Sequence, residues 1–345
     1  MDSIIDLRSD TVSHPTPAMR EAMFHAEVGD DVLGEDPTVN RLEELAAEKM
    51  GKQAGIFVPS GTMGNLAAVL AHCQRGDEAL MGTKGHTYLF EAGGISALGG
   101  VFAATLPNLP DGTLDLEMVS SAIRGNDYHA PITRLLILEN TQNRCGGAVL
   151  TPEYTAQAGE LVRSKGVKLH LDGARVFNAA AALGVKASAL TNAVDSVTFC
   201  LSKGLCAPVG SVLCGTTDFI AKARRIRKQL GGGMRQAGIL AAAGIVALEQ
   251  MVDRLGEDHI RARRLADGLA ALPGIEFPMG LPQSNMVFAQ LSDTLPYNAK
   301  QAAVNLRSHG VKVGVVNERM FRMVLHYWVD DNGVDQTLKA FQAVI

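Results

Sequence analysis

An aspartate and a lysine each follow an apolar, strand-like segment in the middle of the chain. Asp172 comes directly after residues 167–171, and Lys203 comes shortly after residues 196–201. The stretch between them has room for one helix, which we expect at Val176–Leu183. The carboxyl ends of neighbouring parallel strands meet at one rim of an open sheet. We therefore expect this carboxylate and this amine to face a common site.

A carboxylate and an amine on one rim suit the chemistry of pyridoxal 5′-phosphate. The amine forms a Schiff base with the cofactor, and the carboxylate pairs with the protonated pyridine nitrogen. Gly173 and Gly204 follow the two residues, and glycine allows a ligand to approach the backbone closely. A salt bridge at the sheet edge is the alternative. We take Lys203 as the candidate Schiff-base lysine and Asp172 as the partner of the ring nitrogen.

A phosphate site is predicted where a short polar turn joins a strand to a helix. Ser60, Gly61 and Thr62 lie between the strand-like residues 55–58 and the helical run that begins at Leu66. Free backbone N–H groups and the helix dipole favour a phosphate at such a point. The alternative is a plain helix cap made by one of the two hydroxyls. The predicted cofactor lysine and carboxylate lead us to favour the phosphate.

Two histidines and an asparagine are further candidates. His86 follows the strand-like residues 78–81, where ligand-binding loops collect, and we expect its ring to stack on the cofactor. A structural hydrogen bond is the alternative for His86. His129, in a loop before the next strand, is a weaker candidate. Asn140, at that strand's end, could contact the cofactor or cap the turn.

Three basic residues could bind anions. Arg322 has apolar neighbours, so it could clamp a substrate carboxylate with two hydrogen bonds, although an exposed surface arginine is the alternative. Lys228 and Arg235 flank a run of three glycines at residues 231–233. This arrangement suggests a mobile loop that faces an anion.

Length and composition restrict the class of protein. The 345 residues suit a large domain with a smaller one, and a net charge of −4 argues against nucleic-acid or membrane-surface binding. The N-terminus is acidic and lacks a long apolar stretch, unlike a signal peptide. The 5 cysteines contain no C-x-x-C pair, so we expect neither a disulfide framework nor a metal site. These features predict a cytoplasmic protein.

Strand-like segments alternate with helical ones through most of the chain, which predicts an α/β fold with a mostly parallel sheet. Seven strands are expected, at residues 55–58, 78–81, 101–105, 134–139, 167–171, 196–201 and 211–215. We divide the chain into an N-terminal arm (1–35) that contributes to the active site, a large cofactor domain (36–250) and a small α+β domain (251–345). One long helix is expected from about residue 235 to 272, where Pro273 and Gly274 end it.

Several motifs together resemble the L-threonine aldolases of the low-specificity or L-allo type. These motifs are residues 6–12, 29–32, 34–37, 57–65, 170–175, 201–211 and 231–236, and the likeness reaches Arg322. The resemblance implies the pyridoxal-phosphate-dependent transferase-like fold, that of aspartate aminotransferase and fold type I. It also implies a homotetramer whose active sites lie between subunits.

The resemblance implies cofactor roles for residues already singled out. Lys203 would be the Schiff-base lysine, and Asp172 would pair with the pyridine nitrogen. Arg175 would lie near O3′ of the ring, on the side where substrate binds. Residues 61–62 would hold the phosphate, and His86 would stack on the ring.

Substrate and subunit roles follow from the same resemblance. His129 would lie near the substrate hydroxyl, and Ser9 and Arg322 would hold the substrate carboxylate. Lys228, together with Arg235, would reach the phosphate of a neighbouring subunit's cofactor. The substrate would be a small β-hydroxy-α-amino acid.

Two departures from the family pattern bear on substrate preference. Gln142 stands where the family usually has histidine, and Leu325 stands where it usually has threonine. The expected reaction is cleavage of L-threonine or L-allo-threonine to glycine and acetaldehyde, with His86, His129 or a water as the hydroxyl base. The alternatives are a β-eliminating lyase, an aldolase that prefers phenylserine or β-hydroxyaspartate, and a non-catalytic protein that binds pyridoxal phosphate or amino acids.

Overall fold

The computed structural model describes residues 4–345. Its strands are β1 Ile5–Asp6, β2 Ala54–Val58, β3 Glu78–Gly82, β4 Phe102–Leu106, β5 Thr133–Glu139, β6 Lys168–Asp172, β7 Ser196–Cys200, β8 Ser211–Gly215, β9 Ile275–Glu276, β10 Met286–Leu291, β11 Val311–Lys312, β12 Gly314–Val315 and β13 Met320–Val324. Its helices are α1 Pro17–Phe24, α2 Pro37–Met50, α3 Gly61–His72, α4 His86–Leu89, α5 Gly94–Ala97, α6 Leu116–Ala122, α7 Pro152–Ser164, α8 Val176–Leu183, α9 Ala187–Thr191, α10 Thr217–Gln229, α11 Gly238–Val246, α12 Leu255–Ala270, α13 Ala299–Ser308 and α14 Asp331–Val344.

A seven-stranded sheet forms the centre of the large domain, in the order β2-β8-β7-β6-β5-β3-β4. Strand β8 is antiparallel to both of its neighbours, and every other pairing in the sheet is parallel. Helices cover both faces, which explains why the central strands are continuous apolar runs. The predicted mostly parallel α/β fold is confirmed.

The parallel strands bring their carboxyl ends to one rim. Strands β5 and β6 end at Glu139 and Asp172, which are paired across the sheet. Strand β7 leads into the turn that carries Lys203, and β2 leads into the start of α3. The sheet therefore gathers side chains that are far apart in sequence, as the alternation of strands and helices predicted.

A separate antiparallel sheet, in the order β12-β13-β10-β9, forms the C-terminal part of the fold. Helices α12, α13 and α14 pack against it, and its core contains Phe321 and Phe341, whose rings meet edge to face at 5.8 Å. The expected small α+β region is therefore present. The exact limits of the arm and of the two domains stay predictions.

The N-terminal segment contains more regular structure than an arm suggests. Strand β1 pairs in parallel with β11, and Leu7 belongs to the core of the small sheet. Helix α1 begins with Thr16, whose side chain accepts from the Met19 N–H, followed by Pro17 in the first turn. Threonine before proline is a helix-start signal that the sequence analysis did not use.

The long helix expected from about residue 235 to 272 is wrong as a single element. Helix α11 ends at Val246, and a π-helical turn at Ala247–Met251 separates it from α12. The guanidinium of Arg254 then bonds to the buried carboxylate of Asp258 at the start of α12. Apolar periodicity continues across this break, so the pattern alone does not reveal it. Within residues 4–345, none of the helices has the length and apolar character that a membrane crossing requires.

The buried carboxylate of Asp36 joins three segments. Its oxygens accept from the N–H groups of Thr38 and Val39 at the start of α2, of Gly29 in the arm, and of Gly238 at the start of α11. We expect Asp36→Ala to lower the free energy of unfolding by about 2 kcal/mol or more, because several donors lose their acceptor.

The matched control is Asp115→Ala, which removes the less buried cap of α6. That cap serves only its own helix, through the N–H groups of Glu117 and Met118, so we expect a loss of about 1 kcal/mol. Urea unfolding of both variants measures the difference. Equal losses would mean that Asp36 is only a local cap.

Candidate active site

Asp172 lies buried at the end of β6 with neutral hydrogen-bond partners. Its Oδ2 accepts from the side-chain amide of Asn65 at 2.9 Å, and its Oδ1 accepts from the Ala174 N–H at 3.2 Å. Asn65 comes from α3, the helix that begins at the predicted phosphate turn. No arginine or lysine forms an ion pair with Asp172 in the part of the chain that the structure describes. The carboxylate is therefore held in place yet keeps its charge available for a cationic ligand.

Lys203 faces a cavity of about 330 Å³ at the rim of the sheet. Its carbonyl accepts from the Ser13 hydroxyl at 3.0 Å, which ties the turn to the N-terminal arm. Across residues 4–345, the Lys203 amine forms no hydrogen bond and no ion pair. The cavity is lined by Ser9, Thr11, His86, Phe90, Asn143, Arg144, Arg175, Lys203 and Arg322.

His86 begins helix α4 and borders two spaces. It lines the cavity of Lys203 and also a narrow cleft that reaches Asp172. Its backbone N–H donates to the Glu139 carboxylate at 2.7 Å, and its ring Nδ1 lies 2.9 Å from a Glu91 oxygen. The hydrogen bond to Glu91 raises the pKa of His86. Glu91 thus fixes the ring and leaves Nε2 for the cavity.

Two buried carboxylates, Glu91 and Asp172, share the side-chain amide of Asn65. The amide nitrogen lies 2.8 Å from Glu91 and 2.9 Å from Asp172. One nitrogen of His86 and one oxygen from each carboxylate lie within 4.8 Å of one another, close enough to ligate a cation. The hydrogen bonds through Asn65 and His86 account for this cluster without one.

The start of α3 offers backbone donors. The Ser60 hydroxyl caps the helix by accepting from the Met63 N–H at 3.2 Å, so the cap interpretation holds for this side chain. Among the described residues, the N–H groups of Gly61 and Thr62 have no acceptor. A Cβ on Gly61 would lie 2.9 Å from the Cys200 sulfur, which explains the glycine. This helix start therefore fits an anion.

The far end of the cavity carries arginines. Arg175 donates from Nε and Nη2 to the two oxygens of Asp10, at 2.7 and 2.6 Å, and both side chains are buried. Burial opposes ionisation of Asp10, but the guanidinium lowers its pKa to about 2. Arg322 instead donates to neutral acceptors, Asn143 Oδ1 at 3.0 Å and the Arg8 carbonyl at 3.1 Å. Arg322 therefore remains able to bind a carboxylate, with Ser9 beside it.

Apart from Asp172 and the helix start at residues 60–62, four predicted site residues do not line this cavity. His129 is 69% exposed on a loop, next to Asp127, and Asn140 is buried with its amide bonded to the backbone of Leu150. Lys228 is exposed on α10, and Arg235 pairs with Asp30 of the arm at 2.7 Å. The Asn140 side chain is thus bonded to the backbone of a distant residue, and its cofactor contact stays a prediction. The other three roles stay predictions.

Several residues of the site have no role in the sequence analysis. These are Asp10, Asn65, Phe90, Glu91, Glu139 and Arg144. Glu139 ends an apolar strand as Asp172 does, and burial raises its pKa to about 7. Its position at the end of an apolar strand is the sequence signal that could have identified Glu139 as a site residue. Asn65 stands at a buried position of an apolar helix, but nothing local connects it to Asp172.

Residues 6–292 match the Beta-eliminating lyase family. The chain is 50% identical over 342 residues to low-specificity L-threonine aldolase 1 of Arabidopsis thaliana, covering 98% of this chain and 95% of that protein. It is 53% identical over 266 residues to the low specificity L-threonine aldolase of Escherichia coli K12, covering 77% and 79%. The solved threonine aldolase of Leishmania major has the same fold, with a TM-score of 0.84 at 20% identity, and the alignment covers 99% of this chain and 100% of that one.

The Asp10–Arg175 ion pair should dominate acid stability near the site. Because the folded-state pKa of Asp10 is about 2, below its ordinary 3.8, its stabilisation is present above pH 3.8 and is lost as the pH falls through about 2. We expect Asp10→Asn to cost about 3 kcal/mol at pH 7, because a buried guanidinium loses its counter-charge.

The control is Asp6→Asn, which removes a partner of the half-exposed Arg8. That exposed pair should contribute less than about 1 kcal/mol. Unfolding by urea at pH 7 and at pH 3 measures both variants. A loss for Asp10→Asn as small as that for Asp6→Asn would contradict a dominant role for the buried pair.

Proposed function

The chain belongs to the Beta-eliminating lyase family, and on that premise we propose that it is an aldolase that cleaves L-threonine and L-allo-threonine to glycine and acetaldehyde. The observation that carries the proposal is one cavity lined by Lys203, His86 and Arg322. His86 also lines the narrow cleft that reaches Asp172. The family and the relatives at about half identity support a pyridoxal-phosphate-dependent lyase. Other β-hydroxy-α-amino acids should also be accepted.

The donor groups of the site fit pyridoxal phosphate. The unpaired amine of Lys203 can form the Schiff base, and the buried carboxylate of Asp172 can pair with a protonated ring nitrogen. The unpartnered N–H groups of Gly61 and Thr62 can hold the phosphate. Pyridoxal phosphate held by these residues would supply an electron sink for the pair left on Cα when the Cα–Cβ bond breaks.

The protein's own residues bind the substrate and move the proton. Arg322 and Ser9 hold the substrate carboxylate, and Arg175 stays oriented by Asp10. We assign removal of the β-hydroxyl proton to His86, directly or through a water, because it lines the cavity and His129 does not. Glu91 accepts from Nδ1, so Nε2 is the nitrogen that takes the proton. The raised pKa of His86 favours holding that proton.

Oligomeric state and compartment belong to the same proposal. We propose a homotetramer in which Lys228, with Arg235, approaches a neighbour's phosphate, because the exposed Lys228 amine has no acidic partner among residues 4–345 and does not line its own cavity. Large apolar side chains are exposed on the arm, including Phe24 at 81% and Leu33 at 68%. A cytoplasmic location is supported by five free, buried cysteines.

The first test combines Lys203→Ala with product analysis. The wild-type protein should release glycine and acetaldehyde from L-threonine or L-allo-threonine, and borohydride should fix the cofactor to Lys203. Lys203→Ala should lose turnover and labelling, because it cannot form the imine.

Lys300→Ala, at an exposed position of α13, is the control and should behave as wild type. Melting curves check that both variants are folded. The four threonine stereoisomers should be compared in the same assay. Release of ammonia and 2-oxobutyrate instead of glycine would identify a β-eliminating lyase, and labelling at another lysine would reject Lys203.

The second test concerns the shared phosphate. Lys228→Ala should release pyridoxal phosphate several-fold faster than wild type, because a partly desolvated phosphate needs compensating charge and the turn at Ser60 supplies only neutral donors. Lys222→Ala, on the exposed face of the same helix, is the matched control. Sedimentation of the holoenzyme gives the oligomeric state. A fully active monomer would refute the shared site.

A further inference from the structure

A second cavity, of about 240 Å³, continues from the cavity of Lys203. The two spaces share Phe90, Arg144 and Arg322. Beyond these shared residues the second cavity is mainly apolar, with Phe288, Val315 and Val316. A ligand held at Arg322 by one carboxylate therefore has a second guanidinium and further space beside it. We call this second space the outer cavity.

Arg144 has no acidic partner within the part of the chain that the structure describes. Across residues 4–345, its guanidinium forms no hydrogen bond and no ion pair, and its central carbon lies 5.9 Å from the centre of the Phe90 ring. Arg175, which also lines the cavity of Lys203, instead donates to both oxygens of Asp10. The residues that line the two cavities include no aspartate or glutamate. The excess positive charge at this end is thus available to a ligand.

The backbone that carries Arg144 is firmly held. The N–H of Asn143 donates to Glu139 at 2.9 Å, and the N–H of Cys145 donates to the side chain of Gln142 at 2.9 Å. The amide nitrogen of Gln142 in turn donates to the Lys84 carbonyl at 3.1 Å. Both neighbours of Arg144 are therefore fixed, and Arg144 projects from a defined turn.

Three arginines line the cavity, and Asp10 neutralises only Arg175, so two guanidinium groups face a threonine substrate that carries one carboxylate. The α-carboxylate neutralises Arg322 and leaves Arg144 without a counter-charge. Burial and the positive charges of Arg175 and Arg144 lower the pKa of Arg322, so these guanidinium groups repel one another. A second carboxylate on the substrate would relieve this repulsion and form a charged hydrogen bond. A methyl or phenyl side chain would leave Arg144 without an anion.

We propose that Arg144 binds a carboxylate on the substrate's side chain, so that the enzyme also cleaves 3-hydroxyaspartate, to glycine and glyoxylate. The inference rests on the proposed aldolase function and names a substrate class for it. The hydroxyl loses its proton, its oxygen becomes the glyoxylate carbonyl, and the Cα–Cβ bond breaks. Cα keeps the electron pair and gains a proton, so the reaction needs no oxidant, reductant or co-reactant.

The test compares kcat/KM for L-threonine and for both diastereomers of L-3-hydroxyaspartate in wild type and Arg144→Met. In the variant, the ratio of kcat/KM for the better hydroxyaspartate to kcat/KM for threonine should fall tenfold or more, mainly through the KM for hydroxyaspartate; a charged hydrogen bond has this magnitude. Arg144→Lys should recover part of the loss. Arg307→Met, at an exposed position of α13, is the matched control.

A binding measurement separates recognition from turnover. L-Aspartate has the second carboxylate but no hydroxyl, so it should inhibit wild type, and its inhibition constant should rise about tenfold in Arg144→Met. The inhibition constant of L-2-aminobutyrate should not change. Melting temperatures check that the variant remains folded.

Each other outcome overturns the inference. Equal losses on threonine and hydroxyaspartate would mean that Arg144 only shapes the loop. Failure of wild type to cleave hydroxyaspartate, or faster cleavage of phenylserine that Arg144→Met further increases, would assign the outer cavity to apolar side chains. Failure of wild type on threonine as well would reject the proposed aldolase function itself.

Discussion

The side-chain amide of Asn65 holds together the two buried carboxylates on which the inner site depends. It donates to Glu91 and to Asp172, so neither carboxylate needs a lysine or arginine beside it. Two carboxylates this close in a place with little water repel each other, and burial together with the nearby Asp172 raises the pKa of Glu91. The amide holds both carboxylates in fixed positions, with Glu91 bonded to the His86 ring and Asp172 without an ion pair to lysine or arginine among the described residues.

A chain of neutral groups lies behind this amide. Asn65 Oδ1 faces His170, and the Ser196 hydroxyl links His170 to His72. Burial lowers the pKa of His170 to about 3 and that of His72 to about 4, so both rings are uncharged at neutral pH. Among the described residues, the groups behind Asn65 therefore present no cation to Asp172. Its strongest available partner is a cation on the ligand side, as the proposed chemistry requires.

The outer wall of the site comes from parts of the chain that are far apart. The arm supplies Ser9 and Asp10, the large domain supplies Arg175, and the small sheet supplies Arg322. The arm is attached to the small sheet through β1 and through His326, whose Nε2 lies 2.9 Å from the Asp6 carbonyl. The arm is also bonded to the large domain, through Asp10 to Arg175 and through the Ser13 hydroxyl to the Lys203 carbonyl, so it connects the small sheet to the inner site.

The sequence alone was sufficient for elements that depend on local pattern. The seven strands, the position of Asp172 and Lys203 after two of them, and the polar turn at Ser60 all follow from apolar runs and helix signals. Pairs between distant buried groups were decided only by tertiary structure. Asn140 and Glu139 are neighbours at the end of one strand. The Asn140 side chain bonds to the backbone of Leu150, whereas the Glu139 carboxylate accepts from the backbone N–H of His86.

The same limit applies to the charges. Asp10 meets Arg175, while Arg144 meets no acid among the described residues, although all three read as ordinary charged residues in the sequence. The reason is physical: local pattern determines which backbone elements form, because their hydrogen bonds are short-range. The partner of a buried charge depends on how those elements pack, and that choice determines which groups remain free for a ligand.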